Sequence, residues 1–240
     1  MSNLGGVAKA RIKALFFDFD GIVIDTEMPA FQSWQEIYED FDQVLTVEDW
    51  AACLGTVGGF DPIAHLEQLS GRQVPEPERL IERRWARKLE LLESEGLRPG
   101  IDGYLDRATV LGLQVAIVSS DTDEWIETNL KRVGRTEGWH YINCANGDVS
   151  RAKPSACLYE EALAALHLQQ YEAVVFEDSP NGIQAAKAAG LFCVAVPNPV
   201  TKPLDLSGAD LYLDSFEDMT LDEVLEIVQE RISAEGLRST

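Results

Sequence analysis

"FFDFDGIVIDTE", residues 16–27, sets how the rest of the chain is read. An apolar run of strand type breaks into two aspartates one residue apart, Asp18 and Asp20, and then into Gly21. A carboxylate at the end of a buried strand is costly unless a cation pairs with it or chemistry uses it. The chain therefore has to supply positive charge close to these two positions.

Bulk composition does not supply it. The 240 residues hold 20 Lys and Arg against 41 Asp and Glu, a formal net charge of −21. Such a chain repels nucleic acid and anionic membrane surfaces, so neither is expected as a partner. Any site for a small anion needs local cations or a metal. Cys53, Cys144, Cys157 and Cys193 have neither zinc-type spacing nor a C-x-x-C pair, which points to a reducing compartment. The stretch "MSNLGGVAKARIK" lacks a signal-type apolar core, and no run reaches membrane-spanning length, so a cytoplasmic location is expected. A monomer is compatible with this composition.

Short apolar runs alternate with helical patterns. Strands are expected at 13–20, 113–120, 171–178, 191–196 and 210–215, with helices at about 122–133, 154–167, 180–189 and 221–234. That alternation predicts the α/β class, a doubly wound parallel-sheet (Rossmann-like) core. From 28 to 95 there is no convincing strand, while "FQSWQEIYEDF" and "PERLIERRWARKLELLE" repeat apolar residues at helical intervals. The expectation is an all-helical domain over 28–95 inserted into a core made of 1–27 and 96–240, with linkers "DTEMP" and "SEGLRPG".

In an open parallel sheet, ligands bind at the carboxyl ends of the strands. There the sequence places Asp18, Asp20, Ser119, Ser120, Glu177 and Asp178, and Lys153 follows the loop "CANGDVSRA" just before Pro154, a residue suited to the first position of a helix. Each alone is ordinary: a strand-end Asp caps turns, and a Lys before a helix is solvated. Four clustered carboxylates are not ordinary, and a divalent cation with oxygen ligands relieves them most simply. Magnesium fits, since it leaves positions for water and phosphate. Ser119, Lys153 and the backbone N–H groups of Phe19, Asp20 and Ser120 are candidate donors to a phosphoryl group.

"DFDGIVIDTE", "VSS", "AKP" and "FEDSPNGIQAAKAAG", in that order over about residues 12–215, resemble the haloacid dehalogenase superfamily of phosphohydrolases, in its helical-cap branch near the β-phosphoglucomutase-like and sugar-phosphate phosphatase group. The resemblance implies that Asp18 is the nucleophile and forms an aspartyl phosphate. It implies that Asp20 protonates the leaving oxygen and then deprotonates the attacking water. Ser119 and Lys153 would hold the phosphoryl oxygens. Asp18, the Asp20 carbonyl and Asp178 would bind magnesium, with Glu177 as a ligand or its neighbour. An Asp two places after the nucleophile is what phosphatases and phosphomutases of the superfamily show.

The implied activity is hydrolysis of a small phosphomonoester, a sugar phosphate or nucleoside monophosphate. A sugar phosphomutase is the first alternative. It is weakened because the loop "LGTVGGFD" (54–61) lacks the arginine that mutases of this branch use for a second phosphate, and "TEMPAFQSW" lacks their histidine. A catalytically silent binding protein on the same fold is the second alternative, although every expected catalytic position is filled. "AKPSAC" departs from the usual "GKPxPD" around the lysine.

The remaining polar and aromatic positions read structurally. Lys88 is expected on a solvated helix face, Trp34, Trp50 and Trp85 in the core of the insertion, and His65, His140 and His167 in structural roles. Asp121 is expected to cap a helix, and Asp25, Thr26 and Glu27 to form the hinge. Gly55, Thr56, Gly58 and Gly59 either shape the substrate pocket or form a plain turn.

Overall fold

Residues 12–54 and 60–236 are described by a computed structural model. Six parallel strands form one sheet in the order β3-β2-β1-β4-β5-β6, made of β1 (Ala14–Phe17), β2 (Gln114–Ser119), β3 (Tyr141–Cys144), β4 (Ala173–Glu177), β5 (Phe192–Ala195) and β6 (Leu211–Tyr212). β1 is central, with Phe17 in register with Ile117 of β2 on one side and Phe176 of β4 on the other. The chain therefore winds outward from β1 in both directions, and the strand order reverses beside it, which is where such sheets open a crevice.

The two-residue period of a strand sorts the apolar runs onto two faces. Leu15 and Phe17 join Val115, Ile117, Val174 and Phe176 in a core covered by α5 (Ile101–Leu111), α6 (Asp123–Arg132) and α9 (Leu221–Gly236). Ala14 and Phe16 join Ala116, Val118, Val175 and Cys193 under α7 (Cys157–Ala165) and α8 (Pro180–Ala188). Phe17 and Phe176 stack with ring centroids 4.9 Å apart, both sealed from solvent. Burial of each contributes roughly 1.5–3 kcal/mol.

The expected strands all form, each a little shorter than its apolar run. β3 is the addition. Its Tyr141 and Ile142 are half-buried, and Asn143 interrupts the hydrophobic pattern. Asn143 is buried because its amide donates to the Leu158 carbonyl at 2.8 Å and to Glu161 at 2.9 Å. α5 was also unmarked, since Gly103 dilutes its helical stripe. α7 starts at Cys157, so Pro154 lies in the preceding turn and not at the first helical position.

Between β1 and α5 the described residues contain only helices: α1 (Glu27–Glu39), α2 (Val47–Leu54), α3 (Pro62–Ser70) and α4 (Pro77–Leu92). Phe31, Trp34, Ile37, Tyr38, Trp50 and Leu66 give this insertion its own core, and Val200 from the sheet domain packs into it. The two connecting segments meet, because Ile24 and Leu97 form an antiparallel bridge and the Arg98 N–H donates to the Val23 carbonyl at 2.9 Å. The Arg98 guanidinium then donates to the carbonyls of Gly21, Val196 and Pro197 at 2.5, 2.9 and 2.8 Å. The entry and exit of the insertion are thereby fastened to the loops at the head of β1 and β5. Among the described residues no helix is long and apolar enough to cross a membrane.

Candidate active site

β1, β2 and β4 end side by side, and the residues that follow them surround a cleft of about 460 Å³. Asp18, Asp20, Ser119, Ser120, Lys153 and Asp178, the candidates from the strand ends and the lysine loop, line it together with Asp121, Glu27 and Lys88. Phe19 and Glu177 do not line it, since both are sealed beneath. Residues 55–59, which carry Gly55, Thr56, Gly58 and Gly59, lie outside the described residues.

Lys153 organises the floor. It is only 7% exposed, not solvated as an isolated Lys before a helix would be. Its Nζ lies 2.5 Å from Asp18 Oδ1 and 2.6 Å from Glu177 Oε1. Burial pulls the ammonium toward its neutral form, but the two carboxylates outweigh burial and hold it above the ordinary lysine value. The Lys153 backbone N–H donates to Ser120 Oγ at 3.0 Å, so the second serine of "VSS" places the lysine. The first, Ser119, accepts from the Asp121 N–H at 3.0 Å.

Glu177 is an anchor within this arrangement. Oε1 accepts from Lys153 and from the Tyr159 hydroxyl at 2.7 Å, and Oε2 accepts from the Asp178 N–H at 3.2 Å. The carboxyl rests on Gly182 of α8, where a Cβ would come within 1.9 Å of Oε2. Asp178 is fixed by Asn198, whose Nδ2 donates to Oδ2 at 2.7 Å. Gly21 permits this approach, because it holds φ +81° and a Cβ there would fall 2.1 Å from the same oxygen.

The carboxylates are too many for the lysine. Asp18, Glu177 and Asp178 each offer an oxygen, all within 4.8 Å of one another. Burial raises the Asp178 carboxyl well above its ordinary value, and Asp18, Glu177 and Glu27 push it further. Burial also raises Asp18, with Glu177 and Asp20 adding to the effect against Lys153. A hard, all-oxygen donor set in a negative potential fits a divalent cation of the magnesium or calcium type.

Asp20 stands above this floor. Its Oδ1 accepts from Thr26 Oγ1 at 2.6 Å and from the Trp125 indole N–H at 2.8 Å. Neither donor was evident in the sequence, because one lies in the hinge and the other 105 residues away. Two further expectations need correction. Lys88 lines the cleft instead of a solvated face, with its Nζ 4.7 Å from the Trp125 ring centroid. Trp85 is 44% exposed and faces Trp125 at 5.8 Å, whereas Trp34 and Trp50 are core as expected. The helix after β2 is capped by Thr122, which accepts from the Trp125 N–H at 3.2 Å, while Asp121 accepts from the Thr122 N–H at 2.8 Å. Asp25 accepts from the Glu27 and Met28 N–H groups at the start of α1.

Comparison with known proteins agrees with this geometry. The family model described as haloacid dehalogenase-like hydrolase matches residues 15–196. A Bacillus subtilis protein assigned as a phosphatase, YhcW, is 40% identical over 215 residues, covering 90% of this chain and 97% of that one. Protein CbbY of Cereibacter sphaeroides is 32% identical over 216 residues, covering 87% and 94%. A crystal structure of a CbbY mutant from Rhodobacter sphaeroides in complex with xylulose-(1,5)bisphosphate superposes with a TM-score of 0.67 at 29% identity, covering 85% and 95%.

Proposed function

We propose, on the premise that this chain belongs to the haloacid dehalogenase-like hydrolase family, that it is a magnesium-dependent phosphatase of a small phosphomonoester. A sugar phosphate or a nucleoside monophosphate suits the cleft. The observation that carries the reading is the buried Lys153 held between Asp18 and Glu177, beside the surplus carboxylate of Asp178. That combination presents a nucleophile, a fixed cation and a metal-type donor set to one small volume. The xylulose bisphosphate found in the CbbY complex supports a phosphorylated metabolite as the ligand.

In this reading an oxygen of Asp18 attacks phosphorus, and the bond from phosphorus to the substrate oxygen breaks. Asp20 gives that oxygen its proton, so an alcohol leaves and an aspartyl phosphate remains. Asp20 then takes a proton from the water that attacks phosphorus, which releases phosphate and restores Asp18. Lys153 and Ser119 hold the phosphoryl oxygens as charge shifts onto them. Asp18, Asp178 and the Asp20 carbonyl would hold magnesium, with Glu177 placing Lys153 beside them. The cation, when bound, supplies the positive charge that keeps Asp18 ionised and offsets the phosphoryl group.

The test is phosphate release across a panel of sugar phosphates and nucleotides, with and without magnesium. Wild type is expected to hydrolyse at least one member only with the metal, and Asp18→Asn none. Full activity in Asp18→Asn, or silence across the whole panel, would defeat the reading. A phosphomutase would instead interconvert sugar phosphate isomers with little free phosphate, which a coupled assay distinguishes.

A further inference from the structure

We propose that Trp125 is the positioning residue for Asp20, and that its indole ties this task to the seating of the helical insertion. The inference rests on the acid–base role given to Asp20 above. Both donors to Asp20, the Trp125 indole N–H at 2.8 Å and the Thr26 hydroxyl at 2.6 Å, meet the same oxygen, Oδ1. No hydrogen bond among the described residues reaches Oδ2. A carboxyl oxygen that already accepts two hydrogen bonds is a poor carrier for a proton. The proton that Asp20 passes on therefore belongs on Oδ2. Two donors from separate parts of the chain also fix the rotation of the carboxyl group, so Oδ2 has a defined direction.

The other side of the same indole belongs to the insertion. Trp125 lies in the first turn of α6, and its backbone is pinned by Thr122. Its ring meets Trp85 of α4 at 5.8 Å, and Lys88 Nζ stands 4.7 Å from the Trp125 centroid and 5.2 Å from that of Trp85. The two aromatic faces share one ammonium, an arrangement that holds only while α4 lies against α6. When the insertion lifts, the indole loses its two partners from α4 and keeps only its packing on the sheet core, so its hold on Asp20 loosens. When it closes, the acid is aligned. The geometry thus makes proton delivery conditional on a covered cleft.

Two aryl esters separate this role from a structural one. p-Nitrophenolate leaves without help, whereas phenolate benefits from protonation. With magnesium-saturated protein, Trp125→Phe, which keeps a ring but removes the N–H, is expected to lower kcat/KM on phenyl phosphate, which reports only the transfer to Asp18, by about 10–100-fold. On p-nitrophenyl phosphate the loss in kcat/KM is expected to stay under about threefold. Lys88→Met and Trp85→Leu keep the N–H but strip its support, and should shift the two esters in the same unequal way, more weakly. Equal losses on both esters, or none on phenyl phosphate, would overturn the role of Trp125. Unchanged ratios in both insertion variants would overturn its coupling.

A readout independent of turnover covers a Trp125→Phe protein that does not fold. The indole N–H resonance of Trp125 should move upfield in Asp20→Asn, while those of Trp34, Trp50 and Trp139 stay in place; an unmoved signal contradicts the hydrogen bond. Wild type that hydrolyses neither ester overturns the phosphatase reading, and with it the acid role. Hydrolysis of both with equal slowing in Trp125→Phe overturns this inference alone.

Discussion

Lys153 and Asp18, 135 residues apart in the chain, meet as a buried ion pair at 2.5 Å across the ends of the central strands. Removing one partner of such a pair leaves an uncompensated charge, which typically costs about 3–5 kcal/mol. Lys153→Met should accordingly lower the free energy of unfolding in urea by about 3 kcal/mol and slow phosphate release by at least about 100-fold. Unchanged stability would mean that the lysine is not the counter-charge described.

Gly182 matters for what it leaves out. Its absent Cβ makes room for the Glu177 carboxyl, which would otherwise be met at 1.9–2.1 Å. Neither a helix backbone nor a fully buried glutamate yields easily. Gly182→Ala should destabilise the protein by about 2–3 kcal/mol, in the upper part of the range for overpacking. It should also displace Lys153 through Glu177, so activity falls further than stability. Thermal unfolding and phosphate release on the same preparation give both numbers.

Asp178 predicts opposite effects of one substitution. Its carboxyl is disfavoured by burial and by Asp18, Glu177 and Glu27, so Asp178→Asn should make the metal-free protein more stable than wild type. The same change should abolish the stabilisation expected from magnesium. For wild type that stabilisation should reach about 2.7 kcal/mol at a hundredfold excess over Kd. A variant that still melts higher with magnesium would place the metal elsewhere.

Glu27 should make stability pH-dependent. Burial pushes its carboxyl up to about 7 from the ordinary 4.5, with Asp20 adding and Lys88 opposing. Between these values the folded protein binds a proton that the unfolded chain does not. The contribution is complete below pH 4.5 and lost as pH rises through 7. Glu27→Gln removes this titration, so in chelator-treated protein it should gain on the order of 1–2 kcal/mol over wild type at pH 8, and less at pH 5. Urea unfolding at the two pH values checks the difference.

Local sequence was sufficient for the sheet and the cleft floor, because β1, β2, β4 and β5 are continuous apolar runs and Asp18, Ser119 and Asp178 sit at their ends. The contacts that orient these groups were not legible. Tyr159 is an unremarked helix residue until the fold brings its hydroxyl to Glu177. β3 was hidden by Asn143, a polar residue whose partners are tertiary. Lys88 and Trp85 lie in one charge-rich helix, where Lys88 reads as solvated and Trp85 as core. Which of its faces turns toward α6 depends on how the insertion sits over the sheet, and no periodicity within residues 77–92 encodes that.

The bridge between Ile24 and Leu97 brings the incoming and outgoing chain to adjacent points. To the strands, whatever lies between these residues is a loop closed at its base, and beyond the neck the sheet domain meets it only at a few places such as Val200 and Trp125. The helical part is therefore an exchangeable module. A bundle whose termini lie a strand-spacing apart, and which keeps Thr26 and a face like that of Trp85 and Lys88 for Trp125, could be grafted at this neck, giving the same chemistry a different choice of alcohol.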